Sequence, residues 1–211
     1  MKEKFKSYLS IDHSFDKLTM IGIICLLIVI SGFFGFVYEF IFYYFNEGVK
    51  TFFWRGGNFL PWINIYAIGA VIIYFLTYKY RKTPLKVFSI GFISSGILEF
   101  ISGLGIYIIG NGLRYWDYNT EILNFGNIGG FVCLRSVSFF GISALLLMYV
   151  IVPLCFKIAK KSNKKIFLII SITLFSIVLA DELYNLLITK FFNLPSASTI
   201  YRNFGINYMQ L

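Results

Sequence analysis

TMIGIICLLIVISGFFGFVYEFIFYYF, residues 19–45, is the stretch that decides the fold. It runs for 27 residues with one charged side chain, Glu39, and its apolar and polar positions do not alternate. A helix rising about 1.5 Å per residue needs roughly 20 such residues to cross about 30 Å of hydrocarbon. Backbone in lipid must satisfy its own N–H and C=O groups, which leaves helices and closed barrels. Without the period of two that marks a barrel strand, the run reads as a helix. It is longer than the roughly 7–15-residue apolar core of a secretory signal, and no small-residue cleavage site follows it. We read it as a retained crossing.

Four further runs qualify on the same terms: Leu60–Tyr78, Leu85–Ile109, Val132–Phe156 and Lys165–Phe192. Pro61 stands where the second would begin, a position that tolerates a missing N–H. Turns are expected at Gly56-Gly57, Gly110-Asn111-Gly112 and Gly126–Gly130. The composition agrees, since 58% of the 211 residues are hydrophobic and only 14% charged, against about 25% charged in soluble domains. Disorder is excluded by hydrophobicity, and a disulfide scaffold by three cysteines, Cys25, Cys133 and Cys155, each inside an apolar run. The expected fold is an all-α integral membrane bundle of five transmembrane helices at 19–45, 60–78, 85–109, 132–156 and 165–192.

Orientation follows from the basic residues of the loops. Thirteen lysines and arginines fall in residues 1–18, the loop around Lys79–Lys86 and the loop around Lys157–Lys165; five fall on the other side. That predicts a cytoplasmic N-terminus, an external C-terminal tail at 193–211 and a location in the cell membrane. The net charge of +9 is this asymmetry, and no nucleic-acid partner is implied. Residues 1–18 place Phe5, Tyr8, Ile11, Phe15 and Leu18 at helical spacing between lysines. They read either as a short helix on the inner membrane surface, in contact with lipid, or as a frayed basic tail. Aromatics at Tyr43-Tyr44, Phe52–Trp54, Trp62 and Tyr115–Tyr118 suit the external headgroup belt.

Charges inside a crossing cost roughly 2.5–3.5 kcal/mol each, so each needs a partner or a purpose. Glu39, Glu99, Arg135, Asp181 and Glu182 are such residues. With the first, third and fifth helices running outward, their acids lie about 21–30 Å along the axes, and Arg135 lies about one turn from the external end of the fourth. All five are therefore expected in one polar layer, joined by Ser95 and Asn185. Glu99 shares a ridge with Gly91, Ser95 and Gly103, and Ser31 and Gly35 lead to Glu39. Small residues on such ridges let helices approach closely. Four carboxylates against one guanidinium call for protonation or for a compensating cation, Arg55 or Arg114 among them. Two readings stay open: a cavity for a cation, proton or cationic group, or one ion pair at Arg135 with the other acids reaching external headgroups. A short repeat supports the layer, since Gly35–Ile41 and Ser95–Ile101 share small-x-x-x-Glu-Phe-Ile in two outward-running helices.

No phosphate-binding G-x-x-x-x-G-K-[ST] loop, G-x-S-x-G turn or zinc ligand set is present, and His13 is the single histidine. No catalytic residue, metal or cofactor is expected, and the chain is not read as an enzyme. An intramembrane enzyme acting on lipid or peptide would rest on carboxylates alone, and adjacent Asp181 and Glu182 diverge by about 100° on a helix.

From Gly35 to Pro153 the order of features resembles the bacterial family of type IV ABC-transporter permeases, the CmpB-like membrane proteins. The matching pieces are Gly35-Phe-Val-Tyr-Glu39, Arg55-Gly56 with Pro61 and Tyr66–Gly69, Leu98-Glu99-Phe100, Arg114-Tyr-Trp116-Asp117-Tyr118, and Gly130–Leu134 with Cys133. The sequence departs from the family pattern at Gly129-Gly130-Phe131 and Leu134-Arg135-Ser136. The resemblance implies a multi-pass permease served by a separate ATPase subunit, with Trp116 and Asp117, beside Arg114, as an external motif. The functional expectation is a permease-like protein moving a small solute or ion through the polar layer. The alternative is a non-transporting accessory or scaffold subunit whose charges pair with a partner's helices. Five helices are few for a lone pathway, so a homo-oligomer or a membrane partner is expected under both.

Overall fold

The computed structural model describes residues 15–46, 53–114 and 116–207. The surface helix expected at 1–18 lies, as far as residue 14, outside the described residues. Among the described residues the chain is helical and has no strand, Ile128 and Val132 forming an isolated bridged pair. Four helices are long and apolar enough to cross a membrane: α1 (Lys17–Phe45), α3 (Pro84–Ile109), α4 (Leu134–Lys161) and α5 (Lys164–Phe192). They correspond to the first, third, fourth and fifth expected crossings.

The second expected helix is different. α2 (Asn64–Thr77) begins four residues later than expected and spans 14 residues, followed by a tight turn at Tyr78–Tyr80. Fourteen residues rise about 21 Å, short of a full crossing. Residues 53–63 ahead of it are irregular, and Phe53, Arg55, Asn58, Trp62 and Ile63 are buried. The reason is local. Pro61 supplies no N–H, and the neighbouring backbone donors are taken from outside a helix, as the site below shows. A hydropathy run does not distinguish a helix from buried irregular chain.

The described residues form two compact units, one of residues 72–153 and one of residues 15–71 and 154–207. In the second unit α1 and α5 run parallel. Asp16 starts α1 by accepting the backbone N–H and the hydroxyl of Thr19, and its carboxylate lies 2.8 Å from Lys164 at the start of α5. Asn163 caps α5 in turn, accepting from the N–H groups of Lys165 and Ile166. Further along, Gly22 meets Phe167 and Ser171 so closely that a Cβ would stand 2.8 and 2.9 Å from them. Trp62, Ala67 and Val178 then form a core cluster with Ile28, Val29, Leu60 and Phe175 around it.

In the other unit α3 and α4 form an antiparallel hairpin. The buried ridge of α3 is Val87, Gly91, Ser95, Glu99 and Gly103, one residue per turn. Gly91 faces Ala144 and Gly141, Gly96 faces Val137, and Gly103 faces Phe131 and Trp116. Two helices carry a widened turn. In α4 it covers Leu147–Ile151, just before Pro153, whose ring and missing N–H disrupt the regular ladder. In α5 it covers Tyr184–Ile188, where the Asn185 side chain donates to the Asp181 carbonyl.

Candidate functional site

The five charged residues expected within crossings are described unit by unit. Glu39, Asp181 and Glu182 belong to the α1–α5 unit, and Glu99 and Arg135 to the α3–α4 hairpin.

In the α1–α5 unit the acids hold the irregular segment. Asp181 accepts the backbone N–H of Phe59 at 3.0 Å on one oxygen and that of Leu60 at 2.7 Å on the other, and Asn185 adds a side-chain N–H at 2.9 Å. Glu182 accepts the amide of Asn58 at 2.9 Å and that of Asn64, at the start of α2, at 2.6 Å. Two links tie the end of the segment to α1: Ile63 N–H donates to the Gly32 carbonyl at 3.1 Å, and the Trp62 indole to that of Ile28. Gly32 lies about 22 Å along α1 and Glu182 about 27 Å along α5. The segment therefore meets both helices well inside their length. Buried peptide N–H groups there would each cost several kcal/mol unpaired, and Asp181 satisfies two of them while Glu182 holds the side-chain amides on either side. Gly32 is required by this approach, since a Cβ would run into the Trp62 ring.

Glu39, on the same unit, is paired with Arg55 at 2.5 Å, and Tyr66 of α2 donates its hydroxyl to the other oxygen at 3.2 Å. Arg55 is 4% exposed and lies 3.7 Å from the centre of the Tyr43 ring. Of the compensating cations considered from sequence, Arg55 meets one of these acids, Glu39. Arg114 instead lies 3.5 Å from Asp117 and donates to the Gly129 carbonyl. Ser31, on the ridge leading to Glu39, has a buried hydroxyl with no hydrogen-bond partner, alone among the described side chains.

In the hairpin Glu99 is 7% exposed, and both of its oxygens accept hydroxyl protons, from Tyr118 at 2.6 Å and Ser136 at 2.7 Å. Burial, reinforced by the adjacent Glu99 carboxylate, pushes the Tyr118 phenol well above the ordinary tyrosine range, so it serves as a proton donor. Arg135 lies over the other side of Tyr118, 5.5 Å from the ring centre, and forms an ion pair with Glu121 while donating to the Ile122 carbonyl. Its ion-pair partner is thus an acid of the connecting loop. Ser95 points its hydroxyl at the Phe92 carbonyl of its own helix.

The Arg114–Asp117 motif orders that loop. Trp116 donates to the Phe131 carbonyl, and Asp117 accepts from the backbone and side chain of Asn119. Gly130, with φ 80°, sits where a Cβ would collide with Arg114, Asp117 and Asn119. Sequence reasoning passed over Asn58, Asn64, Tyr66, Glu121 and Ser136 as partners. The signal for the first two was two asparagines flanking a proline inside an apolar stretch.

Chemically, each acid is a hydrogen-bond acceptor already engaged by this chain, and among the described residues no cluster of three metal-ligating side chains occurs. A family model described as "Putative ABC-transporter type IV" matches residues 13–186. That stretch contains every acid, arginine and aromatic of both sites named above. No curated protein and no solved structure matches the chain.

Proposed function

This chain belongs to the ABC-transporter type IV family, and on that premise we propose that it is a permease-like component of the cell membrane. The chain crosses five times, four times as a full helix and once as buried irregular chain followed by the shorter α2. The basic loops put the N-terminus in the cytoplasm and residues 193–207 outside. A separate ATPase subunit supplies the energy, and the chain works with a second copy or another membrane subunit.

The observation that carries this reading is the segment Phe53–Ile63 suspended on Asp181 and Glu182. Non-helical backbone at membrane depth is tolerated where protein buries it or where it lines a cavity, and broken crossings of this kind mark substrate sites in transporters. A small solute or cation would be admitted by exchanging these hydrogen bonds for its own. Purified protein in liposomes tests the proposal: flux of small cations or solutes that falls in Asp181→Asn supports it. Liposomes as tight as protein-free ones, with every candidate subunit added, refute it.

A second reading has its own support. All four acids are engaged internally, as in a subunit whose charges hold its fold. Tight liposomes together with a co-purifying membrane subunit favour this accessory role. Neither reading requires catalysis.

A further inference from the structure

The chain beyond the family match folds back onto the suspended segment. Asn193, left-handed at φ 55°, ends α5, and Ser196 caps the short helix α6 (Ala197–Asn203) by accepting from Thr199. This tail touches α5 three times: Leu194 N–H donates to the Thr189 carbonyl at 3.0 Å, the Pro195 carbonyl accepts the Tyr184 hydroxyl at 3.1 Å, and Ala197 N–H donates to Asn185 at 2.8 Å. It touches the suspended segment twice more. Tyr201 donates its hydroxyl to the Phe59 carbonyl at 2.8 Å, and the Asn207 carbonyl accepts Trp54 N–H at 2.7 Å. The Tyr201 ring also packs 5.2 Å from Trp54 and 5.9 Å from Phe59.

Two of these contacts stand one hydrogen bond from Asp181. Phe59 donates its N–H to Asp181 and its carbonyl accepts from Tyr201; Asn185 donates an amide N–H to Asp181 and its amide oxygen accepts from Ala197. The tail therefore grips two of the three groups that hydrogen-bond the carboxylate, the third being the Leu60 N–H. It is also weakly held. Seven residues of helix are far fewer than the roughly 12–15 needed to persist unaided, so α6 depends on its seat. Ala197 is its one buried residue, and Phe204 just beyond is 78% exposed. Segments with little apolar burial open locally before the rest of a fold does.

We propose that residues 194–207 are a releasable strap that pins the Trp54–Leu60 segment onto Asp181 and Glu182, and that its release exposes that segment to water. The strap is a property of the fold and holds whether or not the chain transports anything.

The test places a thiol reporter at Asn58→Cys, a position 2% exposed, and measures its reaction with a water-soluble maleimide in detergent-solubilised full-length protein. Buried Cys25 serves as the internal control. Tyr201→Ala, added to the reporter chain, should raise the labelling rate roughly tenfold or more, and Tyr201→Phe, which keeps the ring, by a smaller factor. Cys25 should stay unreacted throughout. Equal rates with and without Tyr201→Ala overturn the proposal, as does labelling of Cys25 in step with the reporter, which would mean general loosening. Amide exchange in the unmodified chain gives a second reading that needs no variant. Ala197 and Trp54 should exchange together and faster than the interior of α5, whereas protection equal to that interior means that the strap does not open.

Discussion

Asp181 accepts the backbone N–H of Phe59 at 3.0 Å across 122 positions of sequence, and so ties the irregular chain ahead of α2 to α5. Its second oxygen holds the next N–H, of Leu60. Glu182, one residue on, faces two amide side chains instead. The two acids are adjacent on α5 but hold different kinds of donor, which makes their variants distinguishable.

Asp181→Asn replaces one acceptor oxygen with a donor that faces a fixed backbone N–H. The loss should be about 2–3 kcal/mol. Glu182→Gln should cost less, about 1 kcal/mol, because Asn58 and Asn64 can rotate their amides to suit a Gln. Unfolding in denaturing detergent measures both, and an order of Glu182→Gln worse than Asp181→Asn would contradict the assignment.

Arg55 and Glu39 form a desolvated pair, with side chains 5% and 16% exposed. Arg55→Met strands the carboxylate and should destabilise by about 3–5 kcal/mol; adding Glu39→Met should recover much of that. A double-mutant cycle reads the coupling. Additive losses would mean that the two do not act as a pair.

The glycines of α1 and α2 should separate cleanly. A Cβ at Gly32 or Gly35 would enter the ring of Trp62 or Tyr66, whereas none would meet anything within 4 Å at Gly69. Gly32→Ala should cost about 1–3 kcal/mol by overpacking, and Gly69→Ala should be neutral or gain about 0.5–1 kcal/mol from helix propensity. Thermal unfolding measures the difference. Ser31→Ala belongs with the neutral group, since its hydroxyl is buried unpartnered.

Two groups outside the crossings set pH limits. The Tyr118 phenol is raised by burial, so the stability it contributes is complete below the ordinary tyrosine value of 10.0 and declines as pH rises beyond it. Alkaline absorbance titration of the wild type and Tyr118→Phe should coincide until unfolding begins. Asp16 is lowered from 3.8 to about 2, first by its hydrogen bond with Lys164 and then by that with Thr19. Its contribution to the start of α1 is present above 3.8 and is lost as pH falls through about 2. Lys164→Met should move that loss to higher pH, seen by NMR of the Asp16 carboxyl.

Four helices long and apolar enough to cross a membrane were readable in the apolar runs because lipid demands length and closed hydrogen bonding, and both are written in composition. The start of the second expected helix was not, because Leu60–Tyr78 carries the same hydropathy whether Leu60 and Ile63 bond within a helix or to Asp181 and Gly32. The acids stood out because lipid penalises charge. Their partners did not: Asn58, Asn64, Tyr66, Tyr118 and Ser136 are neutral, and Arg135 pairs with Glu121, an acid of the loop that carries the Trp116-Asp117 motif. The grouping by unit depends on tertiary contacts that spacing along single helices cannot express. The tail at 193–207, expected from sequence only as part of an external tail, makes contacts that depend on where Tyr201 and Asn207 land.

The most direct measurement is amide exchange at Phe59 and Leu60 in nanodiscs, compared between the wild type and Asp181→Asn. If Asp181 suspends the irregular half of the second crossing, both amides are protected in the wild type and exchange roughly a hundredfold faster in the variant, while the α3–α4 hairpin is unchanged. Protection at both positions that is indifferent to the substitution would contradict the account.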